Sequence, residues 1–281
     1  MKRNVAVLVP GIIFAVLSSP LVAQWPRVPP PGVPKDAGGR VNLVAGAPRT
    51  PDGTPDLSGI WDVSPRREKP GEAPPGRPPL AIFADIGVNI VGGLPFQPWA
   101  AQLSKQRVAN QRYDNPDALC FPQGPLQYHL DPQPRQIYQL PGRTLIIYES
   151  NYGRRTVYTD GRPLPTAGEP QPNWHGYSIG RWDGTTFVVE SNNFRGVQGG
   201  HPADGWLDQM GSPFTDALHL TERFRRVNFG NMEIDITIDD PKAYTKPFTV
   251  RVEHVIVADG WEMVEFICHE NQMFLKLTGR G

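Results

Sequence analysis

The sequence predicts an all-β fold: an antiparallel up-and-down barrel of eight to ten strands, with one N-terminal helix and a Pro-rich N-terminal arm. Two observations predict it. From about residue 135 the chain is a succession of short runs in which apolar and polar residues alternate: RQIYQL, TLIIYES, RRTVYTD, YSIGRW, TTFVVES, ALHLTERFRRV, MEIDITID, FTVRVEHVIV and WEMVEFICHE. That is the period of a strand with one buried face. Between several runs lie residues of tight turns: Asn151-Tyr152-Gly153, Asp183-Gly184, Phe229-Gly230-Asn231 and Asp259-Gly260. Glycine and asparagine there supply the positive φ that short hairpin connections need. So many consecutive strands form a meander, and a large meander closes on itself or splits into two sheets.

The elements follow in chain order. Residues 1–23 carry a basic head (Lys2, Arg3), an apolar centre and a small residue at Ala23, the layout of a secretory signal peptide. The apolar run is short and broken by Pro10 and Pro20, so it is a poor membrane span, and no later segment is apolar enough to cross a bilayer. Residues 24–55, rich in Pro and Gly, read as an extended, poorly ordered arm. DLSGIWDV at 56–63 opens a single barrel domain spanning 56–281. Residues 64–79 are a second Pro-rich linker, and AIFADIGVNIVGG at 81–93 fits a helix or a strand equally. The helix is PWAAQLSKQRVANQR at 98–112: Pro98 suits the first helical position, and Trp99, Leu103 and Val108 give a partial stripe. Residues 192–216 form a long loop within the β-region, and such loops serve as lids or stay disordered.

Charge and cysteine content narrow the function. The chain has 28 basic and 28 acidic residues, mixed along its length. There is no electrostatic footprint for nucleic acid; the densest basic cluster, RFRR at 223–226, sits in a strand pattern. Cys120 and Cys268 are the two cysteines. In an exported chain they predict one disulfide, and they exclude a cysteine-rich zinc site. The expected location is the periplasm or the exterior. HExxH, GxSxG and phosphate-loop patterns are absent, so no cofactor is expected.

The stretches PDLSGIW (55–61), YTDGRP (158–163), GYSIGRWDGTTFVVES (176–191), ALHLTERFRRV (217–227), IDDPKAYTKPFTV (238–250) and EFICHEN (265–271) together carry a resemblance. Over roughly residues 48–275 the chain resembles a family of exported, functionally uncharacterised bacterial β-rich proteins, which implies export and supplies no activity. Members of that family have a Gly-His-Ser order where this chain has His175-Gly176-Tyr177-Ser178, so no role carries over to His175. Gly59-x-Trp61 also resembles the Gly-x-Trp signature of lipocalin-like barrels, which implies a calycin-type meander.

Strand register locates the chemistry. A two-residue Asp259-Gly260 turn would pair Ile256 with Met263, His254 with Glu265 and Val252 with Ile267, all on the apolar side of one hairpin. An imidazole opposite a carboxylate in an apolar setting would hold a proton between them. In the hairpin 217–239, a bulged turn that pairs Phe224 with Ile236 and Arg225 with Asp235 sorts apolar from charged residues. It places Glu222 on the apolar side, opposite Ile238. His254, Glu265 and Glu222 are therefore the candidate catalytic residues, and chemically they could also form a His/Glu/Glu metal site, although no motif demands a metal. In the hairpin 173–194, closed by Asp183-Gly184 with Trp182 facing Thr185, one side carries His175, Tyr177, Arg181 and Glu190. With Tyr158 and Trp182, these are the candidate ligand-binding residues.

Two functions fit this reading. The first is an exported barrel binding a small aromatic or isoprenoid-like ligand in its cavity. The alternative is a cofactor-independent lyase, isomerase or hydrolase in the same cavity, with His254 as base, Glu265 orienting it and Glu222 as acid. A small molecule is the expected partner, with no nucleic acid and no membrane span after signal cleavage. A third reading, an envelope or interaction protein, predicts a barrel filled by its own side chains. The sequence leaves the oligomeric state open.

Overall fold

The computed structural model describes residues 28, 30–169 and 171–268; the expected signal peptide, 1–23, lies outside them. Nine strands close into one barrel in sequential order. They are β1 (Gly59–Val63), β2 (Arg135–Leu140), β3 (Arg143–Tyr148), β4 (Arg154–Tyr158), β5 (Tyr177–Asp183), β6 (Thr186–Asn192), β7 (His219–Arg226), β8 (Asn231–Asp239) and β9 (Phe248–Ile256). The helices are α1 (Pro98–Ala109) and a single turn, α2 (Gln127–Leu130).

The topology departs from a pure up-and-down meander at one place. β4 and β5 are parallel, paired through Val157↔Ser178 and Tyr158↔Ile179, whereas every other neighbouring pair is antiparallel. Parity is the reason. Strands that alternate in direction around a closed ring must be even in number, and here they are nine. The expected tenth strand does not form: residues 261–268 are irregular. The edge of β9 that Met263–Ile267 would have occupied is taken by β1, through Trp61↔Ile256, Asp62↔Val255 and Val63↔His254. Pairing with β1 closes the barrel, which removes both exposed edges and buries Trp61 completely. Gly59 is required beside it, because its φ is +137° and a Cβ there would sit 3.3 Å from Ile256 Cδ1.

The turns between β2 and β3, β5 and β6, and β7 and β8 fall at one end of the barrel, and the short β3–β4 connection at 149–153 falls at the other. Every long connection falls at the other end or leads to it. α2 plugs that loop end, with all four of its residues buried. The interior is filled by side chains such as Ile137, Val157, Phe187, Phe224, Ile234 and Val250.

Several peripheral segments differ from expectation. The arm is anchored, since the carbonyls of Leu43 and Ala45 accept from Gly230 N and Phe229 N at 2.8 and 2.7 Å. Residues 81–93 form neither helix nor strand but a series of turns. α1 turns Ala100 and Arg107 inward rather than Trp99, which is 40% exposed. Arg107 stacks 4.2 Å from the Trp206 ring and donates to the carbonyls of Asp204, Gly205 and Gly211. The long loop 192–216 is packed, not a free lid: Trp206, Leu207 and Phe214 are buried. Cys120 and Cys268 are disulfide-bonded, tying the segment after β9 to the loop end.

Candidate functional site

Strand alternation decides which side chains enter the barrel, and two of the three expected catalytic residues do so. Glu222 and His254 are buried, 0% and 2% exposed. The β7–β8 register is Glu222↔Ile236 and Phe224↔Ile234, two residues away from the expected one, because the turn falls one residue earlier in the chain, where Asn228 caps it by accepting from Gly230 N and Asn231 N. A shift of two preserves the side each residue faces, so Glu222 still points inward.

Glu265 does not join them. It is exposed and lines an outer cleft with Ile147 and Val264, so the expected His254–Glu265 pair is not formed. The His254/Glu265/Glu222 metal arrangement falls with it, and among the described residues no group of three His, Cys, Asp or Glu side chains is placed to hold a metal ion.

The buried cluster is completed by residues that sequence reasoning missed. Glu222 Oε1 accepts from Arg155 Nη1 at 2.8 Å and from His129 Nε2 at 2.7 Å, while Oε2 accepts from Arg155 Nη2. Arg155 also donates to Ser178 and Ser191 hydroxyls at 2.9 and 2.7 Å. On the other side of the His129 ring, whose centroid is 5.9 Å from that of His254, lies Arg135. Its Nη1 is 2.8 Å from His254 Nε2. His254 Nε2 is also 2.8 Å from the His129 carbonyl oxygen. The two contacts make opposite demands on the ring: Arg135 Nη1 can only donate and needs the Nε2 lone pair, whereas the carbonyl oxygen needs a proton on Nε2. In either tautomer Nδ1 is buried without a partner, and the His129 carbonyl keeps its bond from Arg135 Nη1 at 3.2 Å.

The electrostatics are asymmetric. Burial alone would raise the Glu222 carboxyl, but the Arg155 guanidinium outweighs it and holds the acid down at about 2. Burial pushes His129 down, opposed by its hydrogen bond to Glu222. Burial pushes His254 well below its ordinary value, and the nearby Arg135 and His129 push it further. Tyr148 is raised to about 12 by burial. The cluster therefore holds an ionised Glu222, two guanidinium cations and neutral imidazoles. Glu222 can accept a hydrogen bond but has no proton to give, and His254 Nε2 is occupied by Arg135 and the His129 carbonyl.

The expected ligand-binding residues divide between faces. β5 and β6 pair through Asp183↔Thr186 and Trp182↔Phe187, again two residues from the expected register but with sides preserved. Tyr177, Arg181 and Glu190 lie on the outer face, where Arg181 pairs with Glu190 at 2.7 Å. Tyr158 and Tyr177 stack outside at 5.3 Å, with Arg162 3.8 Å over Tyr158. Trp182 packs on Phe187 at the edge of the core. His175 sits at the loop end, 5.2 Å from the Tyr128 ring, and burial, with Arg155 and Arg154, lowers it to about 4.

A cleft opens where the barrel wall is weakest. β1 covers only the last residues of β9. Ser64 N then reaches Glu253 O, the chain loops away, and residues 79–81 return to pair with Arg251. At this seam lies a cleft of about 490 Å³. Its lining includes Leu80, Ala81, Phe83, Leu130 and Val252, with Asp62, Arg66, Arg67 and Glu253 around them. Leu130 and Val252 are core residues, 2% and 0% exposed, so the cleft reaches the hydrophobic interior. No family model, curated protein or solved structure matches the chain.

Proposed function

We propose that this protein is an exported binding protein that takes a small, mainly apolar ligand of aromatic or isoprenoid size into the seam cleft. The observation that carries the reading is the cleft's lining: an apolar floor continuous with the core, bordered by charged side chains, in a volume within the range of small-molecule sites. The signal-like leader and the disulfide support export. The ligand site is moved from the barrel centre, which is packed with side chains, to the seam where β1 covers only the last residues of β9. The enzymatic alternative has less support, because His254 and Glu265 are apart and Glu222 is locked to Arg155.

The test is a fluorescence titration with 1-N-phenylnaphthylamine, an apolar probe that brightens on leaving water. Saturable enhancement is expected for the wild type. Ile82→Asp, which places a charge in the apolar lining, should weaken it about tenfold or more. Val264→Asp, in the outer cleft beside Glu265, should leave it unchanged. Absence of saturable binding, or a larger loss from Val264→Asp than from Ile82→Asp, refutes the assignment.

A further inference from the structure

We infer that the seam cleft is gated by acid: protonation of His254 releases the turn 129–133, which forms one wall of the cleft, and with it the bound ligand. The inference rests on reading the cleft as a binding site. It starts from the two sides of that turn. Leu130 and Pro132 line the cleft. The carbonyls between them are held by the buried cluster: Arg135 Nη1 donates to His129 O at 3.2 Å, and Arg135 Nη2 donates to Asp131 O and Gln133 O, both at 2.6 Å. His254 Nε2 lies 2.8 Å from both His129 O and Arg135 Nη1, and a neutral ring bonds one of them. One wall of the cleft is therefore held from inside by Arg135 and His254, together with the Asp131 carboxylate, which accepts from Gln123 and from Gln133 N, and with Asp131 N, which donates to Gln127 O at 2.7 Å; burial raises the Asp131 carboxyl above its ordinary value.

His254 is badly placed to take a proton while the turn is closed. β2 brings Arg135 to 2.8 Å, α2 brings the His129 ring, and β1 and β8 set Val63 and Met232 opposite it. The charged group in direct contact is thus a cation. Glu222, the carboxylate of the cluster, bonds His129 and Arg155 instead. Protonation at His129 would be compensated by that carboxylate; protonation at His254 would set two cations side by side away from water. Moving the turn outward hydrates His254 and relieves the repulsion.

The sign follows from where each form takes up its proton. In the closed form burial and Arg135 keep His254 neutral. In an opened form the hydrated ring titrates near 6.5. The open form binds the additional proton, so the closed form keeps its full advantage above about pH 6.5 and loses roughly tenfold per pH unit below it.

Probe affinity for 1-N-phenylnaphthylamine, measured from pH 7.5 to 5.0 on wild type and His254→Gln, tests the gate. Glutamine can still donate to the His129 carbonyl and does not titrate. The wild type should weaken between pH 6.5 and 5.0, by at most about 16-fold, with its circular dichroism unchanged, while His254→Gln stays flat. Equal acid weakening in both proteins, or none in the wild type, overturns the gate. If the probe binds at no pH, the binding reading fails instead. Amide hydrogen exchange in the ligand-free wild type then decides the gate alone. Protection across 129–133, corrected for intrinsic rates, falls between pH 7 and 5 if the gate exists and does not if it is absent. The same exchange measurement serves if His254→Gln fails to fold.

Discussion

Replacing Glu222 by glutamine should be among the most damaging single substitutions in the barrel, although it changes shape very little. The carboxylate is fully buried and accepts from Arg155 Nη1 and Nη2 and from His129. Glutamine would leave the Arg155 cation buried without its counter-charge and would turn an amide N–H toward one of those donors. Two routes give the magnitude. Breaking one side of a buried ion pair costs about 3–5 kcal/mol. Independently, the Glu222 carboxyl lies at about 2 against an ordinary 4.5, which is worth about 3 kcal/mol at neutral pH. The folded value is the lower one, so this stability is present above about pH 4.5 and is lost as the pH falls through about 2. The expected loss of about 3 kcal/mol corresponds to a fall in Tm of about 6–12 °C. Calorimetry at pH 7 measures it, with the disulfide intact. The double variant Arg155→Met/Glu222→Leu, which removes both charges, should recover more than half of the loss. A Tm shift below about 3 °C for Glu222→Gln, or strictly additive effects in the double variant, would refute the account of Glu222 as the counter-charge that holds Arg155.

The disulfide and one glycine give two further tests. Cys120 and Cys268 are 148 residues apart, so replacing both with serine should cost up to about 5 kcal/mol through freed loop entropy. Denaturant midpoints with and without reductant measure this, and a variant equal to the oxidised wild type would contradict it. At Gly124 an added Cβ would lie 1.8 Å from the Trp206 carbonyl oxygen, whereas at Gly46 it would meet nothing within 4 Å. Gly124→Ala should therefore lose more than about 2 kcal/mol and Gly46→Ala stay within about 0.5; comparable losses would mean that the close approach of these two loops is not required.

Legibility varied with the range of the interaction that decides each feature. The inward aim of Glu222 and His254 was readable because side-chain alternation is local: an ionisable residue in the apolar register must face the core, whatever strand lies opposite. The same parity would have found Arg135, in phase with Ile137, and Arg155, in phase with Val157, both buried in the structure. His129 had no such signal, since it sits on a one-turn helix in a loop, where no period exists to read. Exact partners were less readable than faces. The β5–β6 and β7–β8 registers each moved by two residues because each turn moved by one position along the chain, a placement decided by caps such as Asn228 and by packing, while the side each residue faces survives an even shift.

The sequence by itself determined the strand-rich character, most strand positions, the single long helix, the pairing of the two available cysteines and the burial of Glu222 and His254. These follow from periodicity, turn chemistry and the cost of burying charge, all of which act over a few residues. Only the tertiary structure decided which strand closes the barrel. Residues 261–268 and β1 both offered a partner to the edge of β9, and local pattern does not rank them. Closure does, because pairing with β1 buries Trp61 and leaves the barrel wall without an open edge. From that choice follow the odd strand number, the parallel β4–β5 pair, the separation of Glu265 from His254 and the seam in which the cleft lies.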